Sequence, residues 1–427
     1  MLEYIYVHEK FYDLSKLKKS HPGGFLKIFD CISKEEDCTP LFESSHCMKD
    51  IDKIKQMMKL YEIKPEEYPK FNITDEIIQS KKNLKTFNFQ NYEYLSKQVR
   101  ESLSDNHKVN MLWFFKVIIL FVMYILLYYY GLINRDYSFL SSIICSFFAG
   151  YIWVNIFFCA MHDASHYSLF NQKSKSFINN DVICHLWHGW GLWNSYIWFK
   201  HHTYSHHSFT GMFGKDPDLI HGRPLFRKSK LDNKVIKFFS KLQDKMCLIV
   251  LFFAPGMYFG QIMAYFIGTI RGHIWKVNIK DTLKHTPIYE TILYILSLSI
   301  LIFNSSYLCV LSYIIGQNIN YAICIVPDHD TFESMIENDK ETDDWCEMEI
   351  RKSSNFCEDS TLITELHGGI NYQIEHHLFP TVSHCHYSKI ASIVKKYCKE
   401  KNIPHVNKKN LMEVFYSYQK MLRSVKH

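Results

Sequence analysis

Four apolar runs limit what this chain can become. Met111–Tyr130 and Phe139–Ala160 are separated by a short turn at Asn134-Arg135-Asp136, and Tyr289–Phe303 and Tyr307–Val326 by Asn304-Ser305-Ser306. About twenty apolar residues in a helix cross the hydrocarbon core of a bilayer. Inside lipid, a helix satisfies every backbone N–H and C=O within one segment. The runs therefore predict two helical hairpins, about four spans in all, with short turns on the far side. A fifth run, Cys247–Ile270, is broken by Pro255-Gly256 and has basic flanks, Lys241 and Lys245 before it, Arg271 and Lys276 after it. Basic flanks stay in the cytosol, so an in-plane or re-entrant helix is expected there. An even number of spans then leaves the long polar segments on one membrane side. A full crossing by Cys247–Ile270 would put the C-terminal part on the other. Asn304-Ser305-Ser306 is formally a glycosylation site, but so tight a turn argues against modification.

Those polar segments carry histidines in three clusters. His162 and His166 follow directly on the second run, and spacing by four places them on one helix face. His202, His206 and His207 come about forty residues later, and Gln373, His376 and His377 lie near the end. Seven imidazoles exceed what one metal uses, so two metals are expected. Imidazole suits iron, copper and zinc, while a structural zinc site takes four ligands, often thiolates. The 13 cysteines are scattered with no CxxC pair, which fits buried apolar residues in a reducing compartment and no disulfide framework. Net charge is 49 − 43 = +6, and the excess lies in short runs beside apolar segments. That is a mark of membrane topology and excludes a nucleic-acid partner.

The first 65 residues read as a small soluble domain. Tyr4–Val7 is a strand candidate, and Phe11–Leu14 leads into a turn. His21-Pro22-Gly23-Gly24 is a tight turn that presents its histidine outward. Phe42-Glu43-Ser44-Ser45-His46 offers a second histidine beside an apolar residue. Two histidines from opposite walls of an apolar pocket are what a six-coordinate haem requires. Such a haem has no open position and only passes electrons. Electrons delivered to a polyhistidine site point to iron that activates dioxygen, since zinc has no use for them. Residues 66–105 read as a polar linker with room for an amphipathic helix near Tyr92–Leu103, a tether that raises the haem's effective concentration at its partner. Residues 1–30 hold no signal-peptide core, so the N-terminus is expected in the cytosol.

Residues 3–63 resemble cytochrome b5, as fused to membrane lipid-modifying enzymes. The resemblance gives His21 and His46 the axial ligand roles on haem b. The first strand lies very near Met1, so the usual leading strand and helix look trimmed. The rest, 106–427, resembles the membrane fatty acyl desaturases with their three histidine boxes. Trp198-Phe199-Lys200-His201-His202-Thr203-Tyr204-Ser205-His206-His207, with Asp216-Pro217-Asp218 beyond, is similar to the second box and its trailing motif. Gly368-Gly369-Ile370-Asn371-Tyr372-Gln373-Ile374-Glu375-His376-His377-Leu378-Phe379-Pro380 is similar to the third. Gln373 stands where many desaturases have histidine. With the fused haem domain, it marks the front-end desaturases and their sphingolipid relatives.

The resemblance implies an α+β haem domain followed by an all-α membrane domain whose cytosolic helical cap holds a di-iron site. It implies that His162, His166, His202, His206, His207, His376 and His377 bind the two irons, with His329 in the family's extra ligand position. Gln373 is then a weaker ligand or a hydrogen-bonding partner near one iron. His201 competes with His202, which the spacing favours. Asp163 and Glu375 lie inside boxes and are expected to orient ligand imidazoles, as carboxylates often do; Glu375 fits a solvated helix face equally well. His185 and His188 read as structural, and His384 and His386 as surface groups or supports behind the ligands. Trp187, Trp190, Trp193 and Trp198 read as interfacial anchors and packing.

The implied reaction is oxygen-dependent desaturation of an acyl-lipid or acyl-CoA chain, with O2 as co-substrate. Electrons reach the haem from NAD(P)H-cytochrome b5 reductase, and the implied location is the endoplasmic reticulum membrane, haem domain and boxes on the cytosolic side. The alternatives are a sphingolipid long-chain-base desaturase, a hydroxylase on the same scaffold, and a membrane haem electron carrier without catalysis.

Overall fold

The computed structural model describes residues 2–24, 26–104, 106–134, 138–171, 178–253, 266, 268–304 and 306–426. Strands β1 (Tyr4–Val7) and β2 (Lys10–Asp13) pair antiparallel, Tyr4 against Asp13 and Val7 against Lys10. Phe11–Asp13 is thus part of a second strand, and where a turn was expected after it stands the helix Leu14–Ser20. The reversal between the strands is His8-Glu9, both left-handed at φ 46° and 60°. Such a pair fits the right-handed twist of a hairpin, and the His8 ring anchors it, 2.7 Å from buried Glu43. Asp13 then caps Leu14–Ser20 by accepting from Lys16 N–H. That helix ends at His21, and the helix Thr39–Ser45 ends at His46.

The linker is built otherwise than a slack tether. Pro65–Phe71 and Asp75–Lys82 form helical turns, and α1 (Gln90–Leu103) buries Tyr92, Leu95, Val99 and Leu103. Those positions recur at helical spacing, so one apolar stripe drives the helix inward. The Tyr92 hydroxyl donates to Leu378 C=O at 2.6 Å, and Arg100 to Cys47 C=O at 2.9 Å. One helix thus ties the N-terminal module to the third histidine cluster.

The membrane part begins with α2 (Met111–Tyr128) and α3 (Phe139–Ile156), both continued by π-helical turns, to Ile133 and to His162. Then come α4 (Asn180–Trp190), α5 (Ile288–Ile302) and α6 (Tyr307–His329). Among the described residues, three helical stretches are long and apolar enough to cross a membrane: Met111–Ile133, Phe139–Ser165 and Tyr307–Glu337. The fifteen residues of α5 are apolar but shorter. The stretch containing α3 is 67% buried and that containing α2 only 22%, which makes α3 central and α2 peripheral. Small residues let α3 and α6 meet backbone to backbone. A Cβ on Gly150 would lie 2.0 Å from Tyr313 O, and one on Gly316 2.1 Å from Phe147 O. The expected re-entrant segment lies largely outside the described residues, beyond the helix Lys237–Phe253. So does the turn at 135–137.

The tryptophans face inward. Trp193 and Trp198 are buried, and Trp187 and Trp190 pack against Tyr124 and Tyr128. They form the interior wall between the spans and the histidines. This corrects the interfacial-anchor expectation and keeps its packing half.

Candidate metal centre

The local backbone at the first two clusters is π-helical, over Phe157–His162 and Phe199–His206. A π-turn inserts a residue into the helical ladder and is common at functional sites. It widens the turn, so residues four and five apart share a side. The third cluster rides on α8 (Gln373–Leu378), reached after Trp345–Lys352, here α7.

The histidines gather into two groups. His162, His166, His202, His207 and His376 place their ligand atoms within 4.8 Å of one another, as do His206, His329 and His377. His202 Nε2 lies 3.1 Å from both His162 Nε2 and His166 Nε2, and His207 Nε2 lies 3.1 Å from His376 Nε2. In the second group His329 Nε2 lies 3.2 Å from His206 Nε2 and 3.0 Å from His377 Nε2. A metal about 2.1 Å from each nitrogen sets neighbouring ligands at right angles about 3 Å apart, which matches. Gln373 Nε2 is 2.9 Å from His329 Nε2, so the amide joins the second group. The consecutive pairs His206-His207 and His376-His377 each give one ring to each group.

Burial and mutual repulsion hold His166, His202, His207, His376 and His377 well below the usual histidine value, hence neutral with a lone pair to give. At His206 burial opposes charge, but the carboxylates of Asp218 and Asp216 outweigh it and raise the ring to about 9. That field favours positive charge at Nε2.

The outer nitrogens are held as well. His206 Nδ1 faces Asp216 Oδ1 at 3.1 Å, and His377 Nδ1 faces Glu349 Oε2 at 2.8 Å. His376 Nδ1 is 3.0 Å from the Tyr387 hydroxyl, and His329 Nδ1 donates to Lys352 C=O at 2.8 Å. Glu349 and Tyr387 escaped the sequence reading because neither stands at a fixed spacing from a histidine. Asp216 and Asp218 were visible as a trailing motif without a role. The two carboxylates expected to orient ligands do other work. Asp163 Oδ2 holds His384 Nδ1 at 2.7 Å, and its Oδ1 stays 4.0 Å from His162 Nδ1. Glu375 is fully buried against Asn355, 2.7 Å away, and His405. Neither carboxylate hydrogen-bonds a clustered ring.

The remaining histidines lie elsewhere. His201 turns away from both groups to Asp218, at 2.7 Å, while His202 enters the first group. His185 bonds Glu290 and Ser195, each at 2.7 Å, and His188 bonds Cys184 C=O. His384 is buried behind the site, and His386 meets Lys108 C=O at 2.8 Å. In the N-terminal module the rings of His21 and His46 face each other with centroids 6.1 Å apart. Burial and the neighbouring His46 lower His21 to about 4, so it too is neutral.

The fatty acid desaturase family model matches residues 137–408, a span holding every clustered histidine. The chain belongs to that family. The family implies a di-iron centre working with O2, and the two histidine groups are compatible with it. The chain is 25% identical to acyl-lipid (8-3)-desaturase B of Dictyostelium discoideum over 97% of its own length and 89% of the relative's. It is 24% identical to the acyl-lipid (8-3)-desaturase of Mortierella alpina, over 98% and 93%. Against the sn-1 linoleoyl-lipid 6-desaturase of Synechocystis, identity is 25% over 56% of this chain and 68% of that one.

Proposed function

We propose that this desaturase is a front-end acyl-lipid desaturase that carries its own electron-transfer module. The observation that carries the reading is the pair of buried histidine groups, five rings and three, with nitrogens about 3 Å apart as ligands of one metal are. His162, His166, His202, His207 and His376 would hold one iron. His206, His329 and His377 would hold the other, with the Gln373 amide as a weaker fourth ligand. Loaded irons supply the oxidation: two hydrogens leave adjacent methylenes, two electrons and two protons join them, and dioxygen leaves as two waters.

The chain's own residues prepare that event. Asp216, Glu349, Tyr387 and the Lys352 carbonyl fix the ring orientations from behind. Trp198 stacks on His202 at 4.2 Å, and Phe158 and Trp193 continue the aromatic wall, which excludes water beside an apolar chain. His21 and His46 would hold haem b. With about 2 Å at each metal–nitrogen contact, two facing rings on one iron sit about 6 Å centre to centre, near the 6.1 Å here. The module covers 1–65, donates electrons received from a reductase, and is seated by residues 66–105 on the membrane domain that follows. With α5 as a fourth span, two hairpins leave module and histidines on the same, cytosolic, face of the endoplasmic reticulum. The (8-3) and 6-desaturase names of the relatives support front-end chemistry on an acyl lipid.

The test is lipid profiling of yeast that express the chain and are fed saturated and unsaturated acyl precursors, wild type against His206→Ala. The expected product has a new double bond between an existing one and the carboxyl end, absent in the variant, with haem absorbance equal in both. A hydroxylated product would replace the reaction. Haem with no further iron would refute the reading.

A further inference from the structure

A third constellation lies outside both groups and faces the surface. His201 Nε2 is 2.7 Å from Asp218 Oδ1, and His221 Nδ1 is 3.4 Å from the same oxygen. The two rings meet edge to face with centroids 4.5 Å apart, and the three ligand atoms all lie within 4.8 Å. A hydrogen bond accounts for His201. It does not account for His221, whose 3.4 Å exceeds the usual range and whose Nε2 is buried with no hydrogen-bond partner among the described residues. Lys228, a neighbouring cation, is taken by Asp330 at 2.6 Å.

An indole walls one side. The ring of Trp275 lies 4.2 Å from that of His221 and 5.6 Å from that of His201. It stands on the turn of the small hairpin His273–Ile274 and Val277–Asn278. There Trp275 and Lys276 are both left-handed, at φ 44° and 68°. Bulky residues rarely adopt that conformation, and strain of this kind collects at ligand clamps. The Asp218 and His221 side chains are 26% and 27% exposed, so an ion has a way in, while His201 is buried. Two imidazoles and one carboxylate with open positions are a donor set for a divalent transition ion.

We propose that His201, His221 and Asp218 form a third cation site, of the zinc class, beside the two histidine groups. Asp218 links it to the second group, since its other oxygen lies 3.5 Å from His206 Nδ1. The test uses the full chain, purified with its haem and iron, dialysed against zinc(II) alone and analysed for elements. Wild type should retain one zinc per chain beyond its iron. His221→Ala should retain none, with haem absorbance and iron unchanged, and His221→Cys, which offers a thiolate, should keep the ion. The proposal is overturned if wild type holds no zinc, or if His221→Ala holds as much as wild type. If His221→Ala also loses haem or iron, the comparison of wild type with His221→Cys and His201→Gln decides: equal zinc in all three overturns the site, and loss in His201→Gln alone sustains it. A protein that takes up this zinc but no iron would refute the proposed function and leave the third site standing.

Discussion

Glu349 tests whether the second histidine group is set from behind. It is fully buried on α7 and receives the His377 Nδ1–H at 2.8 Å and the Thr210 hydroxyl at 2.7 Å, and its second oxygen has no hydrogen-bond partner among the described residues. Glu349→Gln keeps the shape and weakens the bond that aims Nε2 into the group. Loss of a partner behind a ligand histidine costs about 10–100-fold in metal affinity, or about 1.4–2.7 kcal/mol. The first group shares no hydrogen bond with Glu349, so the loss should be confined to one of two ions. The assay is dialysis against a graded chelator followed by iron analysis, with haem absorbance as an internal standard. Wild type should release its two irons over a narrow chelator range, and the variant should release one of them at about 10–100-fold lower chelator. Identical release curves would refute the assignment of Glu349, and simultaneous loss of both irons would refute the separation into two groups.

Three further outcomes follow from the structure. His21→Ala should lose the haem absorbance, the haem's own iron and the product while the iron beyond the haem stays, checked by spectrum, elemental analysis and lipid profile; retained haem would remove His21 as a ligand. Gly316→Val should lower the melting temperature, because its Cβ would press on Phe147 O at 2.1 Å and overpacking costs about 1–3 kcal/mol or more; an unchanged melt would show that α3 and α6 are not in backbone contact. Freed of metal, the protein should lose stability as pH falls from about 6.5 to about 5.5. The unfolded chain protonates histidine near about 6.5, whereas His166, His202, His207, His376 and His377 stay neutral in the fold. Their contribution is full above that value and falls below it by about 1.4 kcal/mol per pH unit for each group. His206, raised to about 9, adds stability on acidification only between about 9 and about 6.5, above that interval. A melting temperature that rises on acidification would contradict this.

Three of the spans, the first N-terminal strand and the clustering of eight histidines were legible in the sequence because each depends on a local pattern. Apolar runs give helices, and histidine spacing gives a shared face. His202 was separable from His201 by spacing, and the structure sends the two rings to different partners, His201 to Asp218 and His202 to the first group. What the sequence hid is carried by contacts between distant segments. Glu349 meets His377 across 28 residues, and Asp163 meets His384 across 221. Proximity in sequence misled for Asp163 and Glu375, which sit beside ligand histidines yet bond elsewhere. The linker misled for a related reason: its polar composition describes the outer face of α1 and conceals the four buried apolar residues of the inner one.

The consecutive pairs His206-His207 and His376-His377 give each histidine group one ring apiece. Adjacent residues are joined by a single rigid peptide unit, with Cα atoms about 3.8 Å apart. The span from one group to the other is therefore a bond-length quantity, bridged twice by covalent backbone. Breathing of the helix bundle, or a change of lipid thickness around it, moves both groups as one body. A single-residue insertion within either pair would instead turn one ring by about 100° around its helix and unmake both groups in one step.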